Sequence, residues 1–416
     1  MWKRIKQFFR EKGPGLVTGA ADDDPSGIGT YTFAGARFGL GQLWSVLFTL
    51  PLMIAVQELC ARIALVTGKG LAGVLKIYYP RWILYICVCL LLIANTMNIG
   101  ANIGAMAAAT RLLIDIPFVI LVLFFVMTTL LLEVFVSYKV YARYLKWLAL
   151  SLFAYVITAF VVQPDWWEVV RHLTVPTIHF SKEFFIILVA IFGTTISPYL
   201  FFWQASQEVE DEISKGKKTI AQRKGATVHE MRIMRSDVKT GMIFSNVVAF
   251  FIMLTAASTL YPKGIVVETA QDAAQVLAPI AGPFASLLFT VGIIATGLLS
   301  IPVLAGSASY AFSETFGWKE GLYRKFRDAH GFYGVITLAL LVGLMLNFIG
   351  LDPIKMLLWT AVLNGVIAPI LLTFILLVGN NTKIMGKWRS GLWSNIGMTA
   401  TILVMTGAIV VSFILW

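Results

Sequence analysis

The sequence predicts an all-α polytopic membrane protein with eleven transmembrane helices, arranged as two halves of five spans in opposite orientation plus one extra helix. Of the 416 residues, 58% are hydrophobic and 13% are charged, whereas about a quarter of the residues in soluble domains are charged. The apolar runs are roughly twenty residues or longer and do not alternate, which favours helices over the strands of a membrane barrel. Two runs, the first and the sixth, are interrupted in mid-span by proline and polar residues.

Each apolar run is long enough to cross the hydrocarbon core of a bilayer, which is about 30 Å thick. The division between the third and fourth runs depends on a few turn residues, Arg111, Asp115 and Pro117. The predicted spans are residues 14–40, 42–67, 82–112, 115–137, 142–163, 183–206, 240–261, 284–312, 331–350, 354–379 and 393–416.

These runs divide the chain into two repeats and their connecting parts. The first twelve residues alternate cations with aromatic and aliphatic side chains, and no small-residue cleavage site follows, so we expect a retained interfacial helix. The parts are a cytoplasmic amphipathic segment at 1–12, the first inverted repeat (spans one to five) at 13–163, an extracellular loop at 164–182, the second inverted repeat (spans six to ten) at 183–379 with a cytoplasmic linker at 208–239, and the last loop with span eleven at 380–416.

Basic residues are distributed asymmetrically along this topology. With the N-terminus in the cytoplasm, the inner segments hold 26 of the 33 Lys and Arg residues and the outer segments hold five. This bias follows the positive-inside rule, so the net charge of +11 does not indicate a nucleic acid partner. We expect a multi-pass plasma membrane protein with a cytoplasmic N-terminus and an extracellular C-terminus. Its partners would be the lipid bilayer and a substrate cation, and a monomer is compatible with the sequence, which leaves the oligomeric state open.

Three consecutive acids, Asp22, Asp23 and Asp24, interrupt the first run and are followed by Pro25 and Gly27. One carboxylate at the centre of a membrane helix costs about 2.5 to 3.5 kcal/mol on insertion scales, so three do not fit a lipid-facing helix. Proline additionally predicts that the helix is broken at this point. We therefore expect this stretch to bind a positively charged species.

The sixth run is interrupted by Gly193, two threonines and the pair Ser197 and Pro198. A single proline in a membrane helix is commonly only a kink. Here, however, the two breaks occupy corresponding positions in two halves that run in opposite directions. Interrupted segments in such positions are typical of transporters with a substrate site at the bilayer midplane.

The chemistry of the two breaks favours a hard cation. Where a helix unwinds, carbonyl groups lose their intrahelical partners and the helix C-terminus carries partial negative charge, which adds to the charge of Asp24. Carboxylate, hydroxyl and carbonyl oxygens are ligands suited to Mg²⁺, Mn²⁺ or Ca²⁺. Neither break contains histidine, cysteine or methionine.

Several motifs resemble those of the natural-resistance-associated macrophage protein (Nramp) family of divalent metal transporters. GPG, eight intervening residues, DPSG, and then AGARFG and LW are similar to the first span of that family, whose hallmark is DPGN. TGKGLAG after span two is similar to its TGKDLA, and GTTISPY falls where its sixth span carries Met-Pro-His. The similarity runs from Gly13 through span ten. It implies a LeuT-type inverted five-plus-five fold with broken helices 1 and 6, and a metal site between them.

The resemblance implies a metal-binding role for four positions. Asp24 matches the family's metal-binding aspartate, Gly27 its asparagine, Thr194 its carbonyl-donating alanine and Ser197 its methionine, so only the carboxylate is unchanged. Loss of the thioether removes a soft ligand that helps to select transition metals. The expected ion is Mg²⁺ or Mn²⁺, carried as substrate, and no cofactor is expected.

The resemblance also bears on proton handling. The family's two span-six histidines fall on Tyr199 and Gln204, and the acids of its span-three Asp-x-x-Glu fall on Asn98 and Ala101. None of these replacements titrates near neutral pH. The departures are like those of the Nramp-related magnesium transporter branch and imply transport without strict proton coupling.

Other polar residues near the breaks allow two interpretations. Asp22 and Asp23, with Ser26 beside them, either line a hydrated vestibule or include one acid that pairs with a basic or amide side chain. One face of span three forms either a polar packing seam or a water-lined pathway, and its members are Asn95, Asn98 and Asn102.

Glu58 and Arg62 are one helical turn apart near the inner end of span two. Residues four apart share a helix face, so opposite charges at this spacing attract each other. We expect a structural ion pair here rather than a part of the transport path.

The main functional hypothesis is movement of a divalent metal cation across the membrane by alternating access, without strict proton coupling. Two alternatives remain open, a proton-coupled Mn²⁺/Fe²⁺ importer that uses the acids of the first break, and a relative that has lost metal transport. No enzymatic activity is expected. An intramembrane aspartyl hydrolase needs two carboxylates from different spans facing one water. Apart from the acidic run and Glu133, whose surroundings carry no recognisable partner motif, the sequence offers no second candidate.

Overall fold

The computed structural model describes residues 13–135 and 152–415, and within these two ranges the regular structure is helical, without a strand. Several of the helices are joined by single turns of 3₁₀ helix. The α-helices are α1 Pro14–Asp22, α2 Pro25–Phe38, α3 Trp44–Thr67, α4 Leu71–Tyr78, α5 Arg81–Arg111, α6 Phe118–Phe135, α7 Phe153–Val162, α8 Trp166–Thr174, α9 Lys182–Thr195, α10 Pro198–Ser214, α11 Ile220–Arg223, α12 Val228–Thr259, α13 Ala270–Ala274, α14 Ala278–Ala281, α15 Ala285–Phe316, α16 His330–Leu346, α17 Pro353–Asn380, α18 Thr382–Met385 and α19 Leu392–Ile414.

The first apolar run folds as two helices, α1 and α2, that meet at the acidic stretch. Asp23 has non-helical dihedral angles (φ −81°, ψ 53°), and Asp24 is extended (φ −76°, ψ 171°). Asp24 serves as the N-cap of α2 and Pro25 occupies its first turn, an arrangement favoured because proline has no N–H to leave unsatisfied. The local sequence therefore explains both the end of α1 and the start of α2.

The sixth run also folds as two helices, α9 and α10. Ile196 ends α9 with non-helical angles (φ −118°, ψ 62°), Ser197 is extended, and Pro198 begins α10. The Ser197 hydroxyl lies 2.6 Å from the carbonyl oxygen of Gly193 and 2.8 Å from that of Thr194, and its single proton can be donated to either. It can thereby satisfy one of the carbonyl groups that lose their partners where the helix stops.

Small residues bring the interrupted helices close to their neighbours. α1 packs along α12, where a Cβ built on Gly19 would lie 2.2 Å from the carbonyl oxygen of Gly241. A Cβ on Gly241 would lie 1.9 Å from the carbonyl oxygen of Gly15. α9 packs along α17 in the same manner, with Gly193 against the Ala361 carbonyl. Backbone thus contacts backbone, as is common between membrane helices.

Eight helical segments within the described ranges are long and apolar enough to cross a membrane: Trp44–Thr67, Arg81–Arg111, Phe118–Phe135, Lys182–Ser214, Val228–Lys263, Ala270–Phe316, Pro353–Asn380 and Leu392–Ile414. Phe153–Val162 and His330–Leu346 are shorter apolar helices. The prediction of a multi-span helical membrane protein agrees with this architecture, while the count of eleven stays a prediction.

Several predictions fall outside the described residues, namely the interfacial segment at 1–12, residues 136–137 of the fourth predicted span, residues 142–151 of the fifth and the last residue of span eleven. Within the polar stretch 208–239, α10 continues to Ser214 and α12 begins at Val228. Thr227 and Glu230 form a capping box at the start of α12. The connector between these two long helices is therefore short.

Candidate metal site between the interrupted helices

Asp24 lies at the junction of α1 and α2 and is only 1% exposed. Its Oδ1 accepts a hydrogen bond from the Gly27 backbone N–H at 2.8 Å. Its Oδ2 accepts from the side-chain amides of Asn102 at 2.9 Å and Asn98 at 3.3 Å, both on α5. These neutral donors orient the carboxylate without neutralising it, and carboxylate oxygens have further lone pairs for a cation.

The predicted residues of the sixth run lie at the second helix interruption. Thr194 and Ser197 are both buried, at the end of α9 and the start of α10. A Cβ built on Gly27 would lie 3.3 Å from Thr194 Oγ1 and 3.6 Å from Asp24 Oδ1. Asp24, Gly27 and Thr194 are therefore neighbours, whereas the Ser197 hydroxyl is directed at the backbone of its own chain segment.

Two tyrosines connect the interrupted helices. The Tyr31 hydroxyl of α2 lies 2.9 Å from Thr195 Oγ1 of α9. The Tyr199 hydroxyl of α10 donates to the carbonyl oxygen of Ala21 in α1 at 3.1 Å. Each half of one interrupted span is thus hydrogen-bonded to a half of the other.

Gln204 belongs to a separate chain of hydrogen bonds between α1 and α10. Thr18 Oγ1 donates to Gln204 Oε1 at 2.6 Å, and Gln204 Nε2 donates to Glu208 Oε1 at 2.9 Å. Ser26 is buried in the first turn of α2, directly after Pro25. Ser26 therefore lies two residues after Asp24, and Gln204 contributes to the contact between α10 and α1.

Asp22 and Asp23 form a second carboxylate group that faces α12. Ser245 Oγ donates to Asp22 Oδ2 at 2.5 Å and lies 3.4 Å from Asp23 Oδ1. The two acids are 3% and 1% exposed. Both are therefore buried, and the partner that the structure gives them is a hydroxyl.

The electrostatic character of the junction is negative. Within residues 13–135 and 152–415, the ion pairs involve other acids and leave out Asp22, Asp23 and Asp24. Helices α1 and α9 both end at this junction, and the C-terminus of each contributes partial negative charge. Such a junction attracts a cation.

Asn102 and Ser245 contact these acids, but the sequence did not identify either of them as a site residue. Asn102 was placed only on a polar face of the third run, although its spacing of four from Asn98 puts both amides on one side of α5. Ser245 carries no local sequence signal. Asn95 of the same polar face donates to Leu304 O and Ser307 Oγ of α15, each at 2.8 Å, so it is a packing contact.

Helices interrupted in pairs around a buried carboxylate define a class of multi-span helical membrane proteins with a binding site inside the bundle. Comparison with known proteins specifies the class further. The family model described as natural resistance-associated macrophage protein-like (Nramp) matches residues 15–415. This chain therefore belongs to the Nramp family.

Curated relatives cover nearly the whole chain. A protein named divalent metal cation transporter MntH from Caldanaerobacter subterraneus subsp. tengcongensis is 25% identical over 395 residues, which are 92% of this chain and 88% of that protein. A protein of the same name from Klebsiella pneumoniae subsp. pneumoniae is 26% identical over 405 residues, covering 94% and 92%.

Solved structures share the fold. The manganese transporter of Eremococcus coleocola, in complex with an aromatic bis-isothiourea substituted compound, superposes with a TM-score of 0.76 at 18% identity, covering 97% of this chain and 86% of that one. Mhp1, a nucleobase-cation-symport-1 family transporter, superposes with a TM-score of 0.56 at 15% identity, covering 96% and 93%. The chain thus shares its fold with both structures.

Proposed function

We propose that this protein transports divalent metal cations across a plasma membrane by alternating access, and that the ion binds at Asp24. The observation that carries the proposal is a buried carboxylate at the junction of two interrupted helices, held by neutral donors and without a basic partner among the described residues. Relatives named divalent metal cation transporters support the choice of ion class.

The ion we propose is Mg²⁺, Mn²⁺ or both. Oxygen atoms supply the candidate ligands, namely the Asp24 carboxylate, the Thr194 hydroxyl or carbonyl, the Ser197 hydroxyl and backbone carbonyl groups near Gly27. Without a thioether the site has little means of preferring soft cations. Mg²⁺ keeps part of its water shell when it binds, which suits a site with one carboxylate and several neutral oxygens.

We further propose that transport is not strictly coupled to protons. Three residues stand at the positions of the family's proton-handling residues. Asn98 donates a hydrogen bond to Asp24, and Tyr199 donates one to the Ala21 carbonyl. Gln204 accepts from Thr18 and donates to Glu208. These three residues carry no group that titrates near neutral pH. Eleven spans, two inverted repeats, a cytoplasmic N-terminus and an extracellular C-terminus complete the proposal.

Asp24→Asn tests the site. In proteoliposomes that hold a Mn²⁺-sensitive dye, uptake by the wild type should fall at least about tenfold in this variant, because a neutral amide neither balances the ion's charge nor binds it as strongly. The control is Asp115→Asn in the exposed loop between α5 and α6, which should transport like the wild type. Full uptake by Asp24→Asn contradicts the assignment, and competition by excess Mg²⁺ shows whether that ion shares the site.

A pH-sensitive dye in the same liposomes tests the coupling. We expect metal uptake without acidification of the lumen and at the same rate with or without a proton gradient. Acidification in proportion to uptake contradicts the uncoupled mechanism and favours the proton-coupled importer.

A further inference from the structure

Asp22 and Asp23 are directed to a different helix from Asp24. The oxygens of Asp24 accept from Gly27 and from amides of α5, whereas Asp22 and Asp23 both approach the hydroxyl of Ser245 on α12. Because both carboxylates reach the same hydroxyl, they converge on one point. The atoms around this point differ from those that contact the Asp24 carboxylate.

The donors at this point are too few for two carboxylates. A serine hydroxyl has one proton and donates to one acceptor at a time, and its closer acceptor is Asp22 Oδ2. Asp22 Oδ1 and Asp23 Oδ2 are buried and have no hydrogen-bond partner among the described residues. Both side chains are more than nine-tenths buried. Leaving a buried carboxylate uncompensated costs several kcal/mol per charge, and a positive species beside the pair would offset this cost.

The atoms present indicate which species fits. Two carboxylates and a hydroxyl form an oxygen-only ligand set, which suits hard cations. The C-terminus of α1 ends at Asp22 and adds partial negative charge to the two formal charges. A divalent cation balances the formal charge of the pair, while a monovalent cation leaves one charge in a buried position.

We propose that Asp22, Asp23 and Ser245 form a second divalent cation site, between the end of α1 and α12 and distinct from the site at Asp24. This inference rests on the proposed function in that the ion reaches the pair by the path that serves Asp24. Two ions in neighbouring sites repel each other, and this repulsion helps a bound ion to leave, as in multi-site ion pathways. The acidic run therefore serves two ions with separate carboxylates.

Counting bound ions tests the second site. The full chain in detergent is dialysed against Mn²⁺, and bound metal per protein is measured by mass spectrometry over a range of free concentrations. We expect two ions for the wild type, one for Asp24→Asn and one for the double variant Asp22→Asn with Asp23→Asn. Ser245→Ala should weaken one of the two ions at least tenfold, whereas Ser258→Ala on the same helix should leave both unchanged.

The outcomes separate the second site from the proposed function. One ion in the wild type that Asp24→Asn abolishes overturns the second site and leaves the transport site standing. Two ions that Asp24→Asn leaves in place overturn the transport site instead. If the double variant does not fold, Ser245→Ala decides alone, and unchanged binding of both ions in that variant overturns the proposal.

Discussion

Arg62 of α3 is held by several partners in a position where its charge is difficult to solvate. Its side chain is 4% exposed, and it pairs with Glu58 at 3.1 Å and donates to Ser394 of α19 at 2.8 Å. Glu58 also pairs with Arg235 of α12 at 2.9 Å. The ion pair expected between Glu58 and Arg62 from their spacing of four is confirmed. The local sequence does not predict the distant partners Ser394 and Arg235.

Glu58→Gln should destabilise the protein by about 3 kcal/mol, because it leaves the Arg62 charge buried without its counter-charge. Arg235→Gln is the matched control. It removes a half-exposed partner of the same carboxylate and should cost less than about 1 kcal/mol. Thermal unfolding in detergent, followed by tryptophan fluorescence, measures both, and equal losses would contradict this account.

The candidate site shows what sequence can and cannot supply at the level of single residues. Asp24 and Gly27 are close in sequence, so an N-cap followed by proline was sufficient to place them together. Asn102 lies 78 positions from Asp24, and Ser245 lies 223 positions from Asp22. Contacts at such separations depend on how whole helices pack, and a single sequence carries no signal for them.

The contact between α1 and α12 depends on glycines. Gly15 and Gly19 of α1 lie opposite Gly241 of α12. A Cβ at any of these three positions would overlap backbone atoms of the other helix. The sequence is sufficient to place Gly15 and Gly19 in the first span. It does not reveal their role in packing, because nothing in the local sequence identifies the partner helix.

Gly241→Ala should force α1 away from α12 and destabilise the protein by at least about 2 kcal/mol, since backbone atoms cannot yield as side chains do. Gly407→Ala in α19 is the control, because a Cβ there would meet nothing within 4 Å. Its stability should be unchanged or slightly higher, as alanine favours helix. Thermal unfolding of the two variants side by side provides the measurement, and equal behaviour would show that the close approach is not needed.

At the scale of the whole molecule, a group of carboxylates joins several helices near the loop that follows α15. Glu314 accepts from the backbone N–H groups of Gly70 at 2.7 Å and Gly73 at 2.9 Å, so it caps α4. Glu210 of α10 accepts from Tyr310 and from the Leu322 N–H. Together with Glu320 in the loop, these side chains line a cavity of about 310 Å³.

Burial, together with the neighbouring carboxylates of Glu314 and Glu210, raises the pKa of Glu320 from 4.5 to about 9. The folded state therefore binds a proton that the unfolded chain releases, and stability falls as pH rises from about 4.5 to about 9. Glu320→Gln should remove this contribution and raise Tm by a few degrees at pH 8, with a smaller gain at pH 5.

A pH series of thermal unfolding in detergent checks the Glu320 prediction. Glu168→Gln on the exposed face of α8 serves as the control and should follow the wild type at every pH. A gain for Glu320→Gln that is the same at pH 5 and pH 8 would show that the charge of this carboxylate is not the cause.

The fold as a whole was more accessible to sequence reasoning than the site. Long apolar runs and two interruptions at corresponding positions predicted a helical membrane bundle, and the Nramp resemblance is confirmed by the family match over residues 15–415. Span limits were harder to predict, because α10 and α12 continue as helix into a polar segment that hydropathy alone assigns to a linker.

The fixed charges of Asp22, Asp23 and Asp24 return to their starting positions in each transport cycle, which has a consequence for energy supply. Under the proposed function no second ion crosses with the cargo, so the electrical potential acts on the full charge of the cargo. An interior-negative potential of about 100 mV contributes about 2.3 kcal/mol per elementary charge, or about 4.6 kcal/mol for a divalent ion. Voltage alone would then support an accumulation on the order of a thousandfold, and import would need no second gradient.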